Sequence, residues 1–208
     1  MRETLASLTK AATVPEYSVM TPELIAAREV LNYQHLHTAP DVTKAKAIVD
    51  KAEAADAATR AAYAAESEAL FEGADAFARA YITTALWTGV EYKHGDPRAD
   101  GDRATHFVSI DLEPATLRDM IADCAAFVEA NRATIESAIA TGEVACGPDF
   151  DEWGRAGHDF WLTRNGHGAG FWDGDWPEPQ AATLSEAARA QGDYDLFMND
   201  DGAIYGQG

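Results

Sequence analysis

The stretch "GHDFWLTRNGHGAGFWDGDW", residues 157–176, brings together two histidines, an arginine, three tryptophans and the carboxylates Asp159, Asp173 and Asp175. These residue types could support three kinds of chemistry. As a catalytic centre, His158 or His167 would act as a general base near neutral pH, Asp159 or Asp173 would orient the imidazole, and Arg164 would hold an anionic substrate. As a metal centre, His158, Asp159, His167 and Asp173 are all ligand types for a divalent ion, the two histidines foremost. As a binding surface, Trp161, Trp172 and Trp176, or those of them left exposed, with Asp173 and Asp175 at the rim, are the residue types that anchor protein interfaces.

Spacing thins these options. No strong zinc or iron pattern is matched, no G-x-S-x-G nucleophile motif is present, and Cys146 has no assigned base. Gly166, Gly168 and Gly170 lack the dinucleotide-binding spacing and sit where a hairpin is expected. The expectation is therefore no metal, no cofactor and no committed catalytic residue. A small hydrolase-type enzyme using His158, Arg164, His167 and Asp173 is kept as the alternative. In the purely architectural reading, the glycines allow positive φ at a tight turn or bulge, Phe160, Leu162 and Phe171 or Trp172 line a buried face, and Arg164 pairs with an acid such as Asp173. A second acid-rich segment, "HGDPRADGDRATH", places Asp96, Asp100 and Asp102 between His94 and His106, but it lacks the distal glutamate of an EF-hand and reads as a solvated loop.

The elements that must position these residues follow from periodicity. Thr21-Pro22-Glu23 is a helix start, with a capping hydroxyl, proline in the first turn and an acid beside it. That helix is expected to run to about His37, to be interrupted by "TAPD", and to be followed by a second helix from near Asp41. Residues 45–65 are alanine-rich with few large apolar side chains, which predicts an exposed helix or a thin contact seam. From Leu70 to Gly89 apolar residues recur every three or four positions, and a further helix opens at Pro114 with the stripe Leu117, Met120 or Ile121, Cys124, Val128, Ile135 and Ile139. After a loop, "GPDFDEWGRAG", the alternation over residues 158–164 predicts a strand, Asn165-Gly166-His167-Gly168 its turn, and residues 169–173 the returning strand. Alternation would send His158 and Asp159 to opposite faces. Residues 184–190 predict a short helix, and "DYDLFMNDDGAIY" a closing hairpin with its bend at Asn199-Asp200-Asp201-Gly202. The expected fold is α+β: an N-terminal helical hairpin over residues 1–68, then residues 69–208 as helices packed on a small antiparallel β-sheet.

Charge is unevenly spread. Residues 1–68 carry 7 Lys/Arg and 10 Asp/Glu, whereas residues 69–208 carry 9 and 25, within a total net charge of −19. Such a surface repels nucleic-acid phosphates and favours a basic protein partner, so direct nucleic-acid binding is not expected. The start "MRETLASLTK" has no apolar signal-peptide core, and no apolar run reaches membrane-spanning length, so a cytoplasmic protein without a membrane span is expected. Cys124 lies within a helical apolar pattern and is expected to be a small buried hydrophobe.

The segments "ARAYITTALWTG", "DLEPATLRDMIADCAAFVEAN", "AGHDFWLTRNGHGAGFWDGDW" and "DYDLFMNDDGAIY", in this order, resemble a family of small proteins encoded by bacteriophages and prophages. The resemblance covers about residues 75–205 and implies a phage or mobile-element origin and a place in the host cytoplasm; it transfers no catalytic residue. Together with the acidic charge it leads to the expectation of a phage accessory protein that acts by protein–protein binding. The expected partner is a host protein with a basic surface, such as a nuclease or CRISPR effector, inhibited by carboxylates that mimic phosphates as an anti-CRISPR or anti-restriction protein would. A virion or assembly component is a third possibility. The helices over residues 21–66 are expected to supply homodimerisation or a second binding surface.

Overall fold

The computed structural model describes residues 20–92, 107–199 and 202–208, so the acid-rich segment between His94 and His106, and Asp200 and Asp201 of the closing bend, lie outside the described residues. Among the described residues, six α-helices and three short strands form two compact units, one ending at Ala62 and the other running from Tyr63 to the C-terminus. The fold is α+β.

In the first unit, α1 (Pro22–Asn32) starts as its cap requires: the Thr21 hydroxyl accepts a hydrogen bond from the Leu24 N–H at 3.1 Å. A 3-10 turn, Gln34–Leu36, leads to α2 (Ala39–Gly73), a single helix that takes in both the alanine-rich segment and residues 70–73. Leu24 and Ala27 of α1 pack with Ala45 and Val49 of α2. That core is thin, because alanine offers little area to bury.

The second unit contains the main core. The helix expected from Leu70 to Gly89 is broken: α2 ends at Gly73 and α3 (Ala76–Thr88) restarts under Asp75, whose carboxylate accepts from the Ala78 N–H at 2.9 Å. A glycine followed by a good capping residue outweighs the continuing apolar period. α4 (Pro114–Ile139) carries the expected stripe, with Leu117, Met120, Cys124, Val128 and Ile135 buried and Ile139 half-buried, and Phe127, outside that stripe, is buried with them. α6 (Gln180–Arg189) packs on α4 and α5 through Ala181, Leu184 and Ala188.

The largest correction falls on residues 152–164. The expected strand is the helix α5 (Glu152–Arg164), opened by Asp151, whose carboxylate accepts from the Gly154 N–H at 2.7 Å. Its turn is a helix C-terminus. Gly166 has φ +66°, the His167 N–H donates to the Leu162 carbonyl at 2.9 Å and the Gly166 N–H to the Thr163 carbonyl at 3.4 Å, the paired closure of a left-handed helix cap. Asn-Gly serves a hairpin turn and a helix cap equally well. The helical period was hidden because α5 is buried from Asp159 through Arg164, all round its circumference. Gly157 lies where α5 crosses α3, so close that a Cβ there would stand 1.9 Å from the Phe77 carbonyl oxygen. The central aromatic stack, with Phe127 and Phe160 ring centres 4.0 Å apart and Tyr81 5.1 Å from Phe160, occupies that crossing.

The expected small antiparallel pairing is present, and one further strand joined in parallel makes the sheet mixed. β2 (Asp195–Met198) and β3 (Ile204–Gln207) form the expected closing hairpin, pairing Leu196 with Gly206 and Met198 with Ile204, while β1 (Val90–Tyr92) joins β2 in parallel. Three residues are too few to show an alternating pattern. Leu196 and Met198 turn inward on the helices, as period-2 geometry dictates. No described helix is long and apolar enough to cross a membrane.

Candidate functional site

Helix geometry brings together residues that a strand would have separated. Asp159 is wholly buried on α5 and one turn after Arg155, whose Nε donates to its Oδ2 at 2.7 Å. The Trp176 indole N–H donates to the same oxygen at 2.7 Å, and His158 Nδ1 meets Oδ1 at 2.8 Å. Because the carboxylate accepts in this contact, Nδ1 is the ring nitrogen that carries the hydrogen. Arg155 also donates from Nη2 to Asp175 at 2.5 Å, with Asp173 4.0 Å away. Burial weakens its hold on the proton, but the carboxylates of Asp159, Asp175 and Asp173 overcome this and keep the guanidinium above its ordinary pKa. The Ala145 N–H donates to the Asp175 carbonyl at 2.9 Å, which ties the chain after α4 to this cluster.

Of the proposed catalytic and metal residues, His158 and Asp159 thus form a pair, and Asp173 stands at the edge of the same cluster. Arg164 and His167 do not join them. Arg164 is buried at the far end of α5, where Nε donates to the Gly192 carbonyl at 2.6 Å and Nη1 to Asp123 at 2.8 Å and to the Tyr81 hydroxyl at 3.0 Å. Its partner is Asp123 of α4 in place of the expected Asp173, because the helix carries the guanidinium toward α4. With Nε and Nη1 engaged and the side chain buried, Arg164 is a structural cross-brace poorly placed to hold an anionic substrate. Desolvation by burial pushes the Tyr81 hydroxyl well above its ordinary pKa. Burial likewise raises the thiol of Cys124, which is 2% exposed, in keeping with a core role. Cys146 is exposed, but partial burial and then the nearby Glu152 raise its thiol pKa, which weakens it as a nucleophile.

The tryptophans divide. Trp161 is 1% and Trp176 4% exposed, so neither offers a surface, whereas Trp172 is 48% exposed beside the exposed Asp173. Trp161 instead donates its indole N–H to the Thr88 hydroxyl at 2.7 Å. Phe160, Leu162 and Phe171 lie in the core as the architectural reading expected, and Trp172 does not. Gly170, at φ +145°, lies against Thr163, whose hydroxyl accepts from the Phe171 N–H at 3.0 Å. That contact turns the chain so that Phe171 enters the core.

Among the described residues, no three His, Cys, Asp or Glu side chains are grouped as metal ligands. Asp159 has its lone pairs committed to Arg155, Trp176 and His158, and His167 lies beyond the helix end. Arg155 escaped the sequence reading: its i, i+4 spacing to Asp159 becomes visible only once the segment is helical. Asn165 was read as a turn residue only, yet its side chain accepts from the Tyr194 N–H at 2.8 Å and donates to the Trp161 carbonyl at 3.1 Å. The chain matches no protein-family model, no curated protein and no solved structure.

Proposed function

We propose that this protein acts by binding a partner protein with a basic surface, as an accessory protein of phage or prophage origin. One observation carries the reading: among the described residues from Tyr63 onward, fifteen Asp and Glu are exposed against three exposed Arg and no exposed Lys. Opposite charge accelerates encounter and repels nucleic acid, while the two most buried arginines, Arg155 and Arg164, are neutralised internally. The partner we infer is a nuclease or CRISPR effector of the host, whose phosphate-binding groove the carboxylates would occupy; the phage-family resemblance supports this setting.

Affinity capture from host lysate at low and at physiological salt tests it, followed by competition with duplex DNA. The reading expects a nucleic-acid-handling protein that is retained at low salt, weakened at physiological salt and displaced by DNA. Retention that ignores both salt and DNA would overturn it.

The His158–Asp159 pair favours a second reading, a hydrolase-type enzyme, because a buried carboxylate orienting an imidazole is the arrangement of a general base. It expects turnover of an activated ester such as p-nitrophenyl acetate that falls to background in His158→Gln. Turnover unchanged by that substitution removes it.

A further inference from the structure

A groove of about 360 Å³ runs between α1 and α2 within the first unit. Ala26 and Val30 of α1 and Ala45 and Ile48 of α2 form its floor; Glu23 stands on the α1 edge, and His37, Asp41 and Lys44 on the α2 edge. Next to His37 in the chain, Leu36 is 71% exposed and Tyr33 53%. A hairpin whose buried core is Leu24, Ala27, Ala45 and Val49 covers only one face of each helix, and helices that bury so little gain stability when a further layer closes over them.

The charges of this unit decide what can close it. Among described residues 20–62, five exposed Asp and Glu are balanced by five exposed Lys and Arg, whereas acids dominate from Tyr63 onward. A strongly basic partner therefore gains little here, and two copies of this unit meet without net repulsion. The balance holds within the groove as well. Asp41 is engaged by the Thr38 hydroxyl, whereas Glu23 and Lys44 make no hydrogen bond or ion pair to a described residue. One unpaired acid on the α1 edge and one unpaired base on the α2 edge make a self-complementary patch, as a two-fold interface requires, because each contact there occurs twice with the partners exchanged.

We propose that this groove is a homodimer interface. A second copy lies so that α1 of each chain packs on α2 of the other, the apolar floors meet as in a four-helix bundle, and Glu23 of each copy pairs with Lys44 of the other. A second copy fits better than a foreign helix because the two free charges satisfy each other under the two-fold axis. The dimer does not rest on the basic-partner reading, which concerns the acidic residues from Tyr63 onward.

Sedimentation equilibrium of the full chain tests it, at about 150 mM salt, where repulsion between the acidic second units is screened beyond about 8 Å. A monomer–dimer equilibrium is expected, and Ala26→Glu, which sets a charge on the groove floor at an exposed helical position, shifts it to monomer. Lys44→Glu and Glu23→Lys each raise the dimer dissociation constant by about fivefold or more, and the double reversal returns it to within about twofold of the parent. Lys51→Glu, the same change of net charge at an exposed position outside the groove, moves it by less than about twofold. Far-UV circular dichroism checks that each variant keeps its helices. A chain that stays monomeric leaves the groove to another occupant and overturns the proposal. A dimer indifferent to Ala26→Glu, or a double reversal as weak as the single ones, overturns it too.

Discussion

Replacing Asp159 with alanine removes the acceptor on which three side chains of the cluster converge. The Trp176 indole N–H, on a residue 4% exposed, would lose its partner, and an unsatisfied buried donor costs ~1–3 kcal/mol. Arg155 would lose the bond from Nε but keep Asp175, so its share falls below the ~3–5 kcal/mol typical of a broken buried pair, and ~2 kcal/mol is a fair figure. His158 lies nearer solvent and adds less. The sum is ~4 kcal/mol. All five tryptophans lie at or beyond position 87, so indole fluorescence during urea unfolding reports on the second unit. At a slope of ~2 kcal/mol/M the midpoint should fall by ~2 M. Asp159→Asn, which keeps the size and one acceptor, should lose about half as much, and a cycle with Trp176→Phe should show a coupling of ~1–2 kcal/mol. A loss below ~1 kcal/mol for the alanine variant would refute the claim that the cluster organises this end of the unit.

Other consequences can be checked in the same way. Gly157→Ala would drive a methyl group into the Phe77 carbonyl and should cost ~3 kcal/mol or more by urea unfolding, whereas Gly166→Ala, strained only by its positive φ and with open space around it, should cost ~1 kcal/mol. Arg164→Leu leaves Asp123 without its guanidinium and removes a brace between α3, α4 and α5, so a loss of ~3 kcal/mol is expected; an unchanged midpoint would show the brace to be dispensable. Burial pushes the Tyr194 hydroxyl from 10 up to about 12, so the folded state holds this proton more tightly than the unfolded chain. Its contribution is fully present below pH 10 and is lost as pH rises from about 10 to 12; Tyr194→Phe should make the alkaline fall in stability shallower, and an identical profile would count against the burial.

Where local chemistry decides structure, the reading from residues matched the molecule. Thr21 with Pro22 starts a helix because an orphan N–H finds an oxygen and proline forfeits nothing there. The apolar period from Pro114 to Ile139 makes one helix, and the closing hairpin pairs across its bend. Where two local solutions share one sequence, it failed. Asn165-Gly166 caps a helix as readily as it turns a hairpin, and aromatic alternation at 158–164 imitates a strand when a helix is buried on every side. The same error hid the site, since strand geometry parts His158 from Asp159 and conceals Arg155, while helix geometry stacks Arg155 under Asp159.

Composition and periodicity alone determined the acidic surface, the thin alanine-rich first unit and the α+β class, because these depend on charge counts and on one-dimensional spacing. Only the tertiary structure decided that Trp161 and Trp176 are buried, that Arg164 braces the core and that Arg155, Trp176 and His158 converge on Asp159. Those outcomes depend on which element lies across the next, and such long-range contacts are set by packing the whole core at once.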